Sequence, residues 1–434
     1  MSEDRILLFK LGQLMISNNQ GYDLNETSLE EMDRCRKNKF EQTDPQSEQS
    51  IQSKRIWIAV LISFLLFLNL FAGCSHLGPY YKSNFYPSKI LFTEEKDLRI
   101  RLLFIGDAGD TKEEDLVLRK LEDWANKIPQ KTMLIFLGDN IYPAGMPSKE
   151  DSEREEAERR IQAQIDVIKK SGVRGFFIPG NHDWKRGLPG LIREESFVKQ
   201  ELGRDEVFLP MAGCPGPAKI DVENIRIIVM DTYFWLNRKL NPEKGCPHKD
   251  LKASISTLKA LLQTAGDRRV VFIAHVPLET HGPHGGFFDW RDHLFPLTRL
   301  AKWLWIPLPV IGSLYPLIRW NIVRYSQDLN SRAFKNMLNQ LKEAFAVRKP
   351  LIYAAGHDHS LQVLEIREAV EYILVSGAGS ISKLSSVTHG DNTLFAHLHQ
   401  GFISADFLKD GSVWVYVVEP GEHDVVFLKE LKTN

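Results

Sequence analysis

Five short motifs carry side chains that bind metal ions, and each stands where an apolar, strand-like run ends. Taken singly, an aspartate at such a place is more often a turn or cap residue than a ligand. Five of them in succession predict one shared metal centre. In chain order they are Gly106-Asp107-Ala108-Gly109, Gly138-Asp139-Asn140, Gly180-Asn181-His182-Asp183, the strand-terminal His275 and Gly356-His357-Asp358-His359.

The residue types explain which chemistry the centre would support. Imidazoles suit zinc, iron and manganese, while carboxylates and an amide oxygen add hard oxygen ligands. The carboxylate of Asp139 can bridge two cations, as two-metal hydrolases require. His357 and His359 stand two residues apart, so one tight loop can serve two different metals. The pattern therefore predicts a hydrolase that uses two metal ions.

The elements that position these motifs are predicted from the apolar pattern. Helices are predicted over 112–126 and 149–170. Strands are predicted over 99–105, 133–137, 175–178, 226–230, 269–274, 351–355, 362–366, 372–375, 401–407, 413–418 and 425–428. In open α/β sheets, ligands converge at the carboxyl ends of the strands. The order of elements predicts an α/β fold of two packed mixed sheets flanked by helices.

With these motifs the chain resembles the calcineurin-like metallophosphoesterase superfamily, whose fold is a four-layer sandwich. Within it, the nearer likeness is to the purple acid phosphatases of the tartrate-resistant type. That likeness depends on Tyr142, three positions after Asp139, in the sequence Gly-Asp-Asn-Ile-Tyr.

The resemblance implies two metal ions that share Asp139. One, expected to be ferric iron, would be held by Asp107, Asp139, Tyr142 and His359. The other, a divalent iron, zinc or manganese ion, would be held by Asp139, Asn181, His275 and His357. A phenolate favours iron(III) because it is a hard anionic oxygen. The alternative is a tyrosine that only packs at the strand end before Pro143.

Two further histidines receive catalytic roles from the resemblance. His182 is expected to bind phosphate or protonate the leaving group. His281 matches a substrate-side histidine followed by Gly-Pro, and His284 is a weaker candidate for that place. The implied reaction is attack of a metal-bound hydroxide on a phosphomonoester. The alternatives are a manganese- or zinc-dependent phosphodiesterase, including one that acts on lipid-linked phosphates, and a non-catalytic membrane-anchored binding module.

The N-terminal part of the chain predicts a membrane attachment. Residues 1–55 form a polar leader predicted to be disordered, and residues 56–74 form an apolar signal or anchor segment that follows Lys54-Arg55. The flanking positive charges place the remainder of the chain on the outer, periplasmic or extracellular face. The segment ends in Ala72-Gly73-Cys74, which resembles a bacterial lipoprotein signal. An uncleaved anchor and a buried core helix are the alternatives.

A linker over 75–97 then leads to a catalytic domain over 98–430. Within it lies an apolar insert, 294–320, whose stretch 303–318 is uncharged and contains three prolines. Prolines oppose a regular spanning helix. The insert is therefore predicted either to contact the membrane or to form an apolar lid on the sheet.

Composition narrows the classes of function. The chain has 434 residues, 43% of them hydrophobic, which suits a globular protein with a large core. The net charge of −1 gives no reason to expect a nucleic-acid partner. The four cysteines include no Cys-x-x-Cys pair, which excludes a typical cysteine zinc site. Cys214 and Cys246 occupy similar loops, either as a disulfide or as two free thiols.

Overall fold

The protein was analysed as a computed structural model, which describes residues 78–82 and 93–432 except 238, 243–244, 249, 300, 302 and 422–423. The predicted leader and the predicted anchor at 56–74 lie outside these residues, as does most of the predicted linker. In the described part of the chain, no helix combines the length and apolar character needed to cross a membrane. The described residues divide into two compact units, one over 288–323 and one holding the rest.

The larger unit contains all the strands of the described residues. They are β1 (Tyr80–Tyr81), β2 (Leu98–Ile105), β3 (Thr132–Phe136), β4 (Arg174–Phe177), β5 (Ala218–Val222), β6 (Ile225–Val229), β7 (Arg269–Ile273), β8 (Ile352–Ala355), β9 (Leu361–Glu365), β10 (Tyr372–Ser376), β11 (Thr393–His397), β12 (Phe402–Leu408), β13 (Val413–Val418) and β14 (Val425–Glu430). Its α-helices are α1 (Leu116–Lys127), α2 (Arg154–Ser171), α3 (Gly187–Leu202), α4 (Thr232–Leu236), α5 (Leu251–Gln263) and, later in the chain, Arg332–Phe345.

The strands form two mixed sheets. One has the order β1-β11-β9-β10-β8-β7-β6-β5, and the other has the order β14-β13-β12-β2-β3-β4. β2, β3 and β4 are parallel to one another, as are β6, β7, β8 and β10. The predicted α/β fold with two mixed sheets is confirmed.

Two hydrophobic clusters explain this layering. One contains alternate residues of both sheets and none from the helices, including Leu102, Ile135 and Val271. The other contains the opposite face of the strands together with helix residues such as Leu121 and Ile165. Since a strand points successive side chains to opposite faces, each central strand is apolar on both. The helices cover the outer faces of the sheets.

Local signals set the helix ends. Asp115 caps α1, because its side chain accepts hydrogen bonds from the amides of Val117 and Leu118. The helix therefore begins at Leu116 and not at 112. α2 ends where Gly172 takes a left-handed conformation, with φ of 68°.

Cys214 and Cys246 could be either free thiols or a disulfide, and the structure shows which. The two residues form a disulfide, with their Cα atoms 5.5 Å apart. This spacing is typical of disulfides.

The smaller unit, 288–323, is built from short helical pieces. It contains α6 (Trp290–Leu294), α7 (Leu314–Ile318) and a π-helical turn, Arg319–Val323. The 3₁₀ turns Pro296–Arg299 and Ile311–Ser313 lie between them. The remaining helix of the larger unit, Arg332–Phe345, is α8.

Candidate metal centre

Five of the seven predicted ligands follow the carboxyl ends of parallel strands. Asp107 follows β2, Asp139 follows β3 and Asn181 follows β4, all in one sheet. His275 and His357 follow β7 and β8 in the other sheet. The two sheets therefore contribute to one site at their adjoining ends, as the sequence predicts.

Three of these residues have unusual backbone conformations. Asp107, Asp139 and His357 have φ angles of 60°, 55° and 71°. Side-chain-bearing residues seldom adopt positive φ, and such strain concentrates at functional sites. The turn at Asp139 also needs a glycine partner, because a Cβ on Gly180 would lie 2.3 Å from the Asp139 carboxylate. The packing that surrounds the site thus enforces its geometry.

One group of ligands gathers around Asp107. The Tyr142 hydroxyl donates a hydrogen bond to Asp107 Oδ1 over 2.9 Å. His359 Nε2 lies 3.2 Å from that hydroxyl and 3.2 Å from the same carboxylate oxygen. The resemblance assigns four side chains to the first metal. Three of them, Asp107, Tyr142 and His359, therefore meet at one point.

A second group gathers around Asn181. Its Oδ1 lies 3.0 Å from His275 Nε2 and 2.9 Å from His357 Nδ1. The two imidazole nitrogens are 3.3 Å apart. His275 Nδ1 faces the Leu137 carbonyl at 2.8 Å, so that nitrogen carries the proton. Its Nε2 is left with a lone pair that faces an oxygen, an arrangement typical of a metal site.

Asp139 lies between the two groups. Its Oδ1 is 3.5 Å from His275 Nε2 and accepts a hydrogen bond from the His182 amide over 2.7 Å. The Tyr142 hydroxyl also interacts with the Asp139 carboxylate. Ligand atoms of Asp107, Asp139 and His275 all lie within 4.8 Å of one another. The placement is that expected of a bridging carboxylate.

The electrostatics of the site favour cations over protons. Burial opposes the charge of Asp139, yet the protonated forms of His182 and His275, together with the hydrogen bond from the His182 amide, outweigh it and hold the pKa of Asp139 at about 2. Burial, with His284 and His275 nearby, lowers the pKa of His357 well below its ordinary value. His357 Nε2 is buried without a protein partner. These residues fit two metal ions, which would occupy the space that the lone pairs and carboxylates share.

Tyr142 is the one phenol among the predicted ligands, and it resists ionisation. Burial and then the carboxylates of Asp107 and Asp139 raise its pKa well above the ordinary value of 10.0. The pKa of His359 is also raised, because the Asp107 carboxylate outweighs burial. For an imidazole, a raised pKa favours the charged form. A phenolate at this position therefore requires a strongly charged cation beside it.

A buried scaffold that the sequence reasoning left unassigned holds the Asp139 turn. The Asp183 carboxylate accepts hydrogen bonds from the amides of Asp139, Gly180, Asn140 and Ile141, at 2.9, 2.7, 3.0 and 3.2 Å. The Asn140 side chain donates to Asp183 and to Glu194, at 3.2 and 3.1 Å. Asp183 stands inside the Gly-Asn-His-Asp motif, so the sequence could have indicated that it belongs to the site. Glu194, on α3, had none.

Glu194 predicts a dependence of stability on pH. Burial raises its pKa to about 8 from 4.5. The folded state therefore holds an extra proton above the unfolded pKa of about 4.3. The stabilisation that the folded state gains from this proton is complete below the unfolded pKa of Glu194 and is lost as pH rises through about 8. In metal-free protein, Glu194→Gln is expected to flatten the fall of unfolding free energy between these values. The exposed Glu206→Gln is the control, and an unchanged slope in Glu194→Gln would contradict the assignment.

His182 lies at the edge of the centre. Its Nε2 is 3.9 Å from Asp139 Oδ2, and its ring packs edge-on against Tyr142 with the centroids 4.4 Å apart. Its Nδ1 lies 2.7 Å from the Pro143 carbonyl, and Lys185 Nζ lies 3.1 Å from its Nε2. Burial and Lys185 outweigh the Asp139 carboxylate and lower the pKa of His182 to about 4. His182 therefore stands neutral beside the bridging carboxylate, and its side chain is 22% exposed.

The two candidate histidines after His275 lie in different surroundings. His281 Nε2 lies 3.0 Å from the Asn392 oxygen, and its ring packs against Phe287 with the centroids 5.1 Å apart. The ring of His284 packs against that of His357 at a tilt of 33°, with the centroids 4.1 Å apart, and its Nδ1 lies 3.0 Å from Asp328 Oδ1. The structure thus places His284, the weaker candidate by sequence, directly against a predicted ligand.

Alanine substitutions are expected to show which of His281 and His284 contributes more to hydrolysis. His284→Ala removes a ring that contacts a predicted ligand, so it should lower kcat/KM for phosphate esters about 10–100-fold. His281→Ala should have the smaller effect, since the contacts of its side chain are with Asn392 and Phe287. Steady-state kinetics with matched metal content would decide. A larger loss in His281→Ala would restore the assignment made from the Gly-Pro context.

Comparisons with known proteins bear on this site. The model of the calcineurin-like phosphoesterase family matches residues 100–304, which include Asp107, Asp139, Asn181 and His275 but end before His357. A comparison with curated protein sequences finds no match.

Several solved structures are similar to this chain at low identity. GAP50, the anchor in the inner membrane complex of Plasmodium, is 17% identical, with 78% of this chain and 90% of that chain covered and a TM-score of 0.47. Purple acid phosphatase PPD1 from yellow lupin (Lupinus luteus) seeds is 12% identical, with 76% and 53% covered and a TM-score of 0.44. Vps29 complexed with zinc, from Entamoeba histolytica, is 12% identical, with 76% and 98% covered and a TM-score of 0.28. The chain spans about half the length of the lupin phosphatase.

Proposed function

The chain belongs to the calcineurin-like phosphoesterase family through residues 100–304, and on that premise we propose that it hydrolyses phosphate esters at a centre of two metal ions. The observation that carries the proposal is the separation of the ligands into two groups that share Asp139. Asp107, Tyr142 and His359 would hold one ion, and Asn181, His275 and His357 would hold the other.

Two bound cations would supply a water of lowered pKa and would offset the charge of the phosphoryl oxygens. The residues of the chain do the remaining work. Asp139 is held ionised, with its pKa at about 2, so it stays available as a bridge in acidic solution. Lys185 stands at the rim, where its ammonium can orient a phosphoryl group and donate to its oxygens. His182 stands beside it, and because its Nδ1 proton faces the Pro143 carbonyl, its Nε2 can donate only when the ring is protonated. Lys383, whose Nζ lies 4.5 Å from the centre of the Tyr142 ring, adds positive charge on that side.

We further propose that the favoured substrate is a phosphomonoester and that one ion is ferric iron, with divalent iron, zinc or manganese as the other. Tyr142 supports this, because its hydroxyl points into the Asp107 group. The second candidate is a phosphodiesterase that uses manganese or zinc and leaves the phenol protonated. The high pKa of Tyr142 in the absence of a cation favours that state unless a trivalent ion is present.

Tyr142→Phe is expected to distinguish these two forms of the enzyme. Iron-loaded wild-type protein should show a visible tyrosinate-to-iron absorption band, and the variant should lose both the band and its preference for iron. The substitution removes only the hydroxyl, so the packing against His182 is retained. Hydrolysis of matched mono- and diesters should be measured in the same samples. A wild-type protein that stays colourless after iron loading, yet hydrolyses diesters with manganese, would contradict the ferric assignment.

We propose that the catalytic domain lies on the outer face of a membrane, tethered by the apolar segment at 56–74. The disulfide between Cys214 and Cys246 supports this location, because such bonds persist in oxidising compartments. Labelling intact cells with a membrane-impermeant reagent would test it, since a domain on the outer face should react before lysis.

A further inference from the structure

The surface of the smaller unit is unusually apolar for a protein in water. Every exposed residue between 303 and 323 is apolar except Asn321. Trp303, Ile311 and Ile322 are 78%, 64% and 73% exposed. Exposed apolar side chains concentrated in one short stretch of a folded unit are typical of an interaction site.

Charge is kept out of this surface. Arg319 is the one charged residue between 303 and 323 in the sequence. It is 5% exposed, and its guanidinium lies 5.1 Å from the centre of the Phe288 ring. An exposed arginine would normally keep its charge in water. The unit instead buries its only cation of this stretch and leaves the apolar side chains outside.

The unit is folded, so the exposure is not that of a loose chain. The Leu308 amide donates to the Leu294 carbonyl over 2.7 Å, and the Gly312 amide donates to the Leu308 carbonyl over 2.6 Å. A Cβ on Gly312 would lie 2.0 Å from the His293 carbonyl oxygen, so this close approach requires glycine. The apolar side chains are therefore presented by a defined backbone.

The anchor predicted at 56–74 would bring a lipid bilayer close to the larger unit. Residues 56–73 are uncharged and apolar after Lys54-Arg55, and as a helix they would be about 27 Å long. Only residues 74–77 separate them from Gly78, and Tyr80 and Tyr81 already pair with β11. The six residues 74–79, which connect this segment to Tyr80, span at most about 20 Å. A bilayer that held 56–73 would therefore lie beside the folded protein.

We propose that the face formed by residues 303–323 docks on that bilayer and inserts its apolar side chains among the lipid headgroups and upper acyl chains. The residue types fit a membrane interface, where tryptophan is enriched. The exposed Trp303 and Trp305 are at one end of the stretch, and Ile322 and Val323 are at the other. Arg291 of the same unit is exposed, and its positive charge would be attracted by anionic headgroups.

The test uses the full chain in vesicles of phosphatidylcholine with a minority of phosphatidylglycerol. In a Cys35→Ser, Cys74→Ser background, Ile306→Cys and Ile322→Cys are labelled with an environment-sensitive fluorophore. Val347→Cys is the matched control, because Val347 is an exposed apolar residue, 41% accessible, of the larger unit. Quenching by nitroxide-bearing lipid is compared with quenching by aqueous iodide.

Labels at 306 and 322 are expected to shift to shorter wavelengths, to be quenched by the lipid nitroxide and to lose their quenching by iodide. The label at 347 should respond to iodide alone. Equal iodide quenching at all three positions would overturn the proposal. Protection of 306 and 322 from both quenchers would also overturn it, since the surface would then be covered by protein, either another segment of this chain or a second copy.

Discussion

Asp139→Asn is expected to abolish the hydrolysis of phosphate esters while the fold is retained. The substitution keeps the size of the side chain but removes the charge that is shared between the two ligand groups. Removing a single stabilising group from an active site costs about 10²–10³ in rate, and the loss of a bridging ligand should exceed that. Steady-state kinetics and metal analysis of the same preparation are the measurements, with circular dichroism to confirm the fold.

A matched control for Asp139→Asn is Asp205→Asn, which changes an exposed aspartate. This control should retain both activity and metal content. If Asp139→Asn kept wild-type activity with its metals bound, the bridging role would be refuted. A loss of activity with unfolding would be uninformative about catalysis, which is why the isosteric asparagine is preferred to alanine.

Asp183→Ala should have the second large effect, this time on stability as well as activity. Four buried backbone amides around Asp139 and Gly180 would lose their acceptor. Each buried donor left without a partner costs about 1–3 kcal/mol, so a loss of about 3 kcal/mol or more is expected. The Asp139 turn would also relax, so hydrolysis should fall with stability.

The graded control is Asp183→Asn, which keeps one acceptor oxygen and should fall between wild type and Asp183→Ala. Unfolding by denaturant gives the free energy, and activity at a temperature where each variant is folded gives the catalytic effect. If Asp183→Ala were as stable as wild type, the amides would have another acceptor, and the scaffold described here would be wrong.

The strand-end ligands could be predicted because each has a local signature. An apolar run predicts a buried strand, a glycine predicts the turn, and the next polar residue lies at the edge of the sheet. Asp107, Asp139 and His275 are of this kind, and the structure brings them together. Parallel pairing of β2 with β3 and of β6 with β7 aligns these ends.

The surroundings of the ligands could not be predicted in the same way. Glu194 reads as an ordinary surface residue of a charged helix, and only the packing of α3 shows that it is buried. His284 faces His357 because the 3₁₀ turn Pro283–Gly285 and the distant Asp328 orient it. The Gly-Pro context favoured His281, but that context carries no information about the path of the loop.

Some elements also had weak signals. β5 is an edge strand with no fully buried residue, so it lacks the apolar run that marks the central strands. α3 begins with Gly187-Leu188-Pro189-Gly190, residues that are typical of turns. α8 is different, because Phe334, Met337, Leu341 and Phe345 are spaced as on one face of a helix. It was predictable but absent from the predicted elements.

The most direct test of the central claim is a metal titration of stripped protein with activity measured at each step. Metal-free protein should be inactive, and phosphate-ester hydrolysis should rise to its maximum as two ions bind per chain. The same titration of Asp139→Asn should show weakened binding and no recovery. Full activity without metal, a maximum at one ion per chain, or two bound ions with no hydrolysis of any mono- or diester would contradict the central claim.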